Sequence, residues 1–452
     1  MKKRILYSSS LLTLTGLIWG TVYLNSLLPI ITGYSAKYLC SAVFISNRNP
    51  AEVEKTDLNF SFIRYVTNEI KYQDNSVTSH FLWGKSTAVF RPGYGCTLLR
   101  GLTEDEWREK KTPSIPGADY NQDTIIWPMG NIIPVVETGI DKRALSEISD
   151  KLMVYQTYHG NAFAFIVVHK GIPVTERYRN GFNARTRFLS WSMAKSFTNA
   201  IAGVMVKEGL LDIHATTGIP PWQNDARNKI TVNDLMQMQS GLRWNEEYGN
   251  RSDVTLMLYN SSDYADFAMT QPLKFPAGST WYYSSGSTNI VSSLIRKKFG
   301  TDSAYYTYPY SRLFKKTGMP DIVFETDPAG NFAGSSYLYA TIRDYARFGM
   351  LYLQDGIFNG ERILPEGWVG YTTSPAKQSH GNYGSFFWLN RGKYYPSAPA
   401  DMYSCNGHDG QRIFIIPSQE LVVVVLGYSP KSKNEMHFDQ LLSDILNTLP
   451  VQ

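Results

Sequence analysis

Cysteine is nearly absent: Cys40, Cys96 and Cys405 are the only three in 452 residues. No two of them have zinc-ligand spacing, and the seven histidines contain no close pair, so neither a metal centre nor another cofactor is expected. Charge of one sign is scarce as well. Lys and Arg number 44 against 39 Asp and Glu, and Lys2, Lys3 and Arg4 supply three of the excess five. The rest of the chain is close to neutral, which excludes a basic face for nucleic acid. Internal repeats are missing too, which excludes solenoids and propellers. What is present is 43% hydrophobic residues, enough for a large core in a globular protein of two subdomains.

The start of the chain differs in kind. After Arg4 no charge occurs until Lys37, and Leu11–Ile31 is mostly apolar. That is longer than the apolar centre of a cleaved signal peptide and long enough to span a bilayer. The cations ahead of it predict an N-inside orientation, with the bulk of the chain outside the cytoplasm, in the cell envelope. Residues 1–36 are therefore read as a signal peptide or membrane anchor, with cleavage after Ser35 as the alternative to retention. In an oxidising compartment Cys40 and Cys96 could form one disulfide, leaving Cys405 unpaired.

The most informative stretch is Phe188–Leu211, FLSWSMAKSFTNAIAGVMVKEGLL. Met193, Phe197, Ile201, Val204 and Met205 recur at helical spacing, which predicts a helix over Ser192–Glu208 stopped by Gly209. Ser192 and Lys195, three apart, then share a face. Serine is a weak nucleophile unless something removes its proton, and a desolvated lysine with a lowered pKa does so. Ser374 and Lys377 repeat the spacing, but the intervening Pro375 and the lack of helical periodicity give those side chains no reason to meet.

Around that helix the pattern predicts an α+β fold: an antiparallel sheet flanked by helices, with one mostly helical subdomain. Residues 37–119 read as an N-terminal extension and linker, with strand-like runs at Phe60–Val66 and Ser86–Phe90 and a charged helix in TEDEWREKK. The main domain spans 120–452. It opens with a helix over Ile140–Tyr155 and a hairpin of Ala162–His169 and Ile172–Tyr178, on which His169 is structural. Helical patterns fill about 209–358: Val232–Gln239, Thr255–Leu258, Ser262–Met269, Asn289–Lys298 and Tyr339–Gln354. Strands return at Ser385–Leu389, Arg412–Ile416 and Leu421–Leu426, and Asn434–Leu449 closes the chain as a helix.

Three short elements, in this order, resemble the serine β-lactamase and penicillin-binding protein superfamily. Ser192-Met193-Ala194-Lys195 matches its S-x-x-K motif. Tyr283-Ser284-Ser285 is similar to its Y-x-N element with serine in place of asparagine, and His408-Asp409-Gly410 to the H-x-G form of the third motif. The surrounding wording is closest to class C-like hydrolases, including 6-aminohexanoate-dimer hydrolases and related esterases. The resemblance implies that Ser192 is the acylated nucleophile, Lys195 its general base and Tyr283 a proton relay between Ser192 and the leaving group, helped if Lys195 favours its phenolate. It implies an oxyanion hole from the backbone N–H groups of Ser192 and Gln411, and places His408, Gly410, Ser285 and the loop residue Tyr248 at the substrate.

Serine at 285 and histidine at 408 remove an amide contact and a fixed cation. A small amide or ester is therefore expected as substrate in preference to a β-lactam. Two other readings remain: a peptidoglycan D,D-peptidase or penicillin-binding protein, and a membrane-anchored binding or sensor protein that acylates without turnover.

Overall fold

Ala162–His169 and Leu421–Gly427 are rich in Val, Ile and Phe, and the two are buried along nearly their whole length. They pair antiparallel at the centre of a six-stranded sheet, with Val424 opposite Ile166 and Val422 opposite Val168. The full order is Trp388–Leu389, Tyr403–Asn406, Arg412–Ile416, Leu421–Gly427, Ala162–His169, Ile172–Tyr178, antiparallel throughout. This is the expected α+β class. The computed structural model describes residues 2–110, 112–117, 119–154 and 156–450.

The helices Lys142–Met153 and Phe438–Leu446 cover one face of the sheet through Leu145, Ile148, Leu441 and Ile445. Ile342–Leu353 covers the other. Gly349 permits that approach, since a Cβ there would lie 2.6 Å from Val422 Cγ1. Beneath it runs the central helix Ala194–Lys207, whose Phe197 ring stacks on Phe348 with centroids 3.8 Å apart. The helical subdomain contributes Val232–Met236, Asp253–Asn260, Tyr264–Met269, Ser285–Arg296 and Asp302–Pro309, each opened by a Ser, Thr or Asp whose side chain accepts from the first turn.

The N-terminal third differs from its expected layout. A single helix runs over Lys2–Phe44, straight through the boundary read at residue 36. Leu14, Leu17, Ile18, Trp19, Val22 and Tyr23 are exposed, whereas Leu28, Thr32, Ser35, Ala36, Leu39 and Cys40 are buried. Nor is 37–119 merely an extension: Thr67–Lys71, Ser76–Phe81, Gly84–Arg91 and Gly95–Leu98 form a four-stranded antiparallel sheet against that helix. Their apolar residues join the main core, and a Cys40–Cys96 disulfide ties helix to sheet. Cys405 is free and buried. Lys37 and Ser41 on the helix both bind Glu325, a buried carboxylate of the main body.

Smaller departures have local causes. Phe60–Val66 contains a 3-10 turn, Ile63–Tyr65, because Ser61 takes a left-handed φ of 43° that no strand accommodates. The helix expected from Tyr339 starts at Ile342, capped by Thr341, while Leu338–Ala340 is a strand. That helix belongs to the sheet, so the inserted subdomain ends before residue 338. Ser385–Leu389 narrows to Trp388–Leu389. The last helix breaks into Lys431–Asn434 and Phe438–Leu446. The helix placed over Ile140–Tyr155 is Lys142–Met153, and Tyr155 lies outside the described residues.

Candidate active site

Ser190 is where the site is set. Its backbone N–H donates to Leu338 O at 2.8 Å and its hydroxyl to Trp191 O at 2.9 Å, so the chain leaves the strand Phe188–Leu189 and turns at once. Trp191 takes a left-handed φ of 45°, a conformation that costs a bulky residue about 1–3 kcal/mol and persists only where surroundings enforce it. The enforcement is aromatic. Tyr34, Tyr38, Tyr248, Tyr337 and His408 all lie within 6.3 Å of the Trp191 ring, centroid to centroid. Ser192 follows on a 3-10 turn, Trp191–Met193, which leads into the central helix.

One helical turn on, Lys195 is 1% exposed. Its Nζ lies 3.1 Å from Ser192 Oγ, 2.9 Å from Ser285 Oγ and 3.0 Å from Ser335 O. Burial brings its pKa down to about 8, against an opposing pull from Glu246. At neutral pH roughly one molecule in ten then carries the free amine that can accept a proton.

Tyr283 completes the group. Its loop is pinned by Tyr282 N–H donating to Met238 O at 2.8 Å, and its ring packs against Trp388 and Tyr383 at 5.4 and 5.9 Å. Lys195 Nζ sits 4.9 Å from the ring centroid, and Tyr283 and Ser192 line the same cleft. The expected phenolate is not favoured. Burial, then the neighbouring Tyr383 and Glu246, push the Tyr283 pKa well above its usual value, so the group is a neutral phenol that donates.

One other expectation changes. Ser285 does not line the cleft: it is fully buried, accepting from Lys195 and donating its hydroxyl and backbone N–H to Glu246. It therefore links lysine to carboxylate instead of touching substrate. Gln411 is buried behind the cleft wall, its side chain tied to both the N–H and the C=O of Gly427, which leaves only its backbone for the oxyanion role. His408 and Gly410 do line the cleft, as does Tyr248, whose ring stacks on His408 at 4.7 Å. Asp409, between His408 and Gly410, holds a left-handed φ of 55°, and its Oδ1 lies 3.2 Å from His408 Nε2.

Sequence reasoning missed Glu246, which also accepts from Trp244 Nε1 at 2.5 Å. The only available signal was its place two residues before Tyr248. It missed Tyr34 and Tyr38 altogether, because nothing in an export segment or the residues just after it announces a packing role beneath Trp191.

The cleft encloses about 600 Å³ between the helical subdomain and the sheet, with Trp281, Trp388, Tyr394 and Met402 among its walls. Five residues on those walls each bury a polar atom with no partner among the described residues: Tyr248 Oη, Trp281 Nε1, Asn382 Oδ1, Asn406 Oδ1 and Arg412 Nε. No group of three or more His, Cys, Asp or Glu among the described residues is arranged to hold a metal.

The beta-lactamase family model matches residues 149–442. The chain belongs to the beta-lactamase family. Its enzyme class follows, a serine hydrolase of the amidase or esterase kind. A 6-aminohexanoate-dimer hydrolase of Paenarthrobacter ureafaciens is 23% identical over 308 residues, which cover 63% of this chain and 76% of that one. A penicillin-binding protein homologue from Caulobacter crescentus shares the fold at a TM-score of 0.54 and 15% identity, covering 70% of this chain and 99% of its own. A family VIII carboxylesterase does so at 0.53 and 13%, with the same coverage. The family match begins in the helix Lys142–Met153, so the N-terminal helix and its four-stranded sheet lie outside it.

Proposed function

We propose that this serine hydrolase cleaves a small amide or ester through an acyl-enzyme on Ser192. Ser192 Oγ attacks the substrate carbonyl as its proton passes to Lys195 Nζ. The neutral Tyr283 phenol hands a proton to the departing amine or alcohol and is reprotonated from Lys195. Water then adds to the acyl carbon by the reverse relay and releases the acid. The observation that carries the reading is the 3.1 Å contact between Ser192 Oγ and a buried Lys195 whose pKa has fallen to about 8. Backbone N–H groups of Ser192 and Gln411 receive the developing oxyanion, and His408, Gly410 and Tyr248 bound the substrate.

The test is fluorophosphonate labelling of the purified protein and of Ser192→Ala, followed by turnover of p-nitrophenyl esters, nitrocefin and linear amide dimers. Labelling lost in Ser192→Ala, with amide or ester turnover and little nitrocefin hydrolysis, is expected. Stable labelling without turnover would instead identify a sensor, and no labelling would end the hydrolase mechanism on Ser192.

A pH profile follows from the same lysine. The general base must be neutral, so kcat/KM should rise with pH along a limb centred near about 8. Glu246 raises the lysine pKa, so Glu246→Gln should move that limb to lower pH. A purely structural role for Glu246 would lower the rate at every pH without moving the limb.

The N-terminal helix is the one described helix long and apolar enough to cross a membrane, by length and composition. We read it as a retained anchor that holds the hydrolase on the outer side of a membrane. Support comes from the burial of Leu28, Thr32 and Ser35 in the body, since cleavage after Ser35 would remove side chains from the core.

A further inference from the structure

Leu82 and Trp83 form the whole two-residue turn between the strands Ser76–Phe81 and Gly84–Arg91. Tight hairpin turns favour Asn and Gly because a positive φ is required there. Here a leucine holds φ 52°. Both residues point large apolar surface at solvent, Leu82 being 62% and Trp83 58% exposed. Phe62, 55% exposed, extends the patch through Phe81, with ring centroids 6.3 Å apart. A turn that sets bulky apolar side chains in an unfavourable backbone and leaves them in water has no stabilising purpose inside the fold.

The patch is continuous with the exposed part of the N-terminal helix. Trp83 Nε1 donates to Asn25 Oδ1 at 2.6 Å, and the hairpin lies so close that a Cβ on Gly84 would be 2.8 Å from Leu28 Cβ. The twenty residues between Ile5 and Asn25 span about 30 Å as a helix, the thickness of a bilayer's hydrocarbon core. Asn25 then falls at the lipid boundary, which puts Trp83 at the level where tryptophan is favoured. Arg64 and Lys85, both exposed and next to the patch in sequence, suit anionic headgroups.

We propose that the Leu82–Trp83 turn, together with Phe62, inserts into the interfacial layer of the membrane that the N-terminal helix crosses. The four-stranded sheet is thereby a seat on the lipid surface. This rests on the reading of that helix as a retained anchor. Tyr34, which packs on Trp191, lies nine residues beyond Asn25, about 14 Å along the helix axis. The seat and the helix together hold the cleft at a fixed short height above the lipid.

The test uses the full chain in phosphatidylcholine–phosphatidylglycerol vesicles, carrying Leu82→Cys or, separately, Phe62→Cys labelled with an environment-sensitive nitrobenzoxadiazole dye. Labelling is site-selective because Cys40 and Cys96 are paired and Cys405 is buried. Fluorophosphonate reaction of each variant checks that it is folded. At both positions the dye should emit blue-shifted light and lose at least half its intensity to nitroxide lipids labelled near the headgroup, with little quenching by aqueous iodide. Vesicle flotation with both dyes quenched by iodide and untouched by nitroxide lipid would overturn the seat and leave the anchor standing. Failure to float with the vesicles would overturn the anchor reading and the seat with it.

Discussion

Removal of residues 1–35 is expected to leave no stably folded hydrolase, whereas removal of residues 1–24 leaves folding and labelling of Ser192 intact. The two cuts fall on opposite sides of the point where the N-terminal helix enters the body. Residues 14–24 are largely exposed, and their loss takes away helix but little core. The longer cut removes Leu28 and Ile31, each buried, for about 1.5–3 kcal/mol apiece. It also breaks the bond between Thr32 Oγ1 and Ser86 Oγ at 2.6 Å, that from Ser35 Oγ to Asn68 Oδ1 at 2.8 Å, and that from Arg100 Nη2 to Pro29 O at 3.0 Å. Added together these losses approach the 5–15 kcal/mol by which a folded protein typically exceeds its unfolded chain. Tyr34 goes too, leaving a void beneath Trp191 and with it the strained turn that carries Ser192. Thermal melting and fluorophosphonate labelling of both truncations decide the matter. Full labelling after the longer cut would show the helix to be a dispensable leader.

Lys195→Met should separate activity from stability. Losing the general base lowers kcat/KM by roughly 10²–10⁴-fold. Stability moves the other way. The folded-state pKa of about 8 lies below the usual lysine value of 10.5, so burial disfavours the ammonium. That penalty is present in full below pH 8 and fades as pH rises towards 10.5, because in this window the unfolded chain binds more protons than the folded one. A shift of this size corresponds to about 3 kcal/mol at neutral pH. The Ser335 carbonyl, which loses its donor, costs about 1 kcal/mol in return. The net gain of about 2 kcal/mol is a rise of a few degrees in Tm for a protein of this size. A variant that melts lower and works normally would mean that Lys195 is an ordinary core residue.

Much of this arrangement is legible along the chain because it is local. The periodicity of Met193, Phe197 and Ile201 is enough to set a helix, although it starts at Ala194 and Ser192 sits on the 3-10 turn ahead of it; a spacing of three still brings Ser192 and Lys195 together across that junction. The strands Ala162–His169, Ile172–Tyr178, Arg412–Ile416 and Leu421–Gly427 announce themselves by β-branched runs between turn residues, and their length and order imply the sheet. Boundaries failed where a cap overrode a pattern, as Thr341 does ahead of Ile342.

What could not be read is set by contacts between distant segments. Whether Tyr283 is a phenol or a phenolate depends on burial and on Tyr383, a hundred residues away. Ser285 became a link to Lys195 instead of a substrate contact because Glu246, on another loop, takes its hydroxyl and backbone N–H. The apolar N-terminus looked separable because hydropathy measures a preference for leaving water and is silent about what replaces it. The sequence alone determined the nucleophile's turn of helix, the sheet and the export-like start. Only the tertiary structure decided that this start is half exposed apolar helix and half core, since burial is a property of neighbours and no residue carries its neighbours in its own identity.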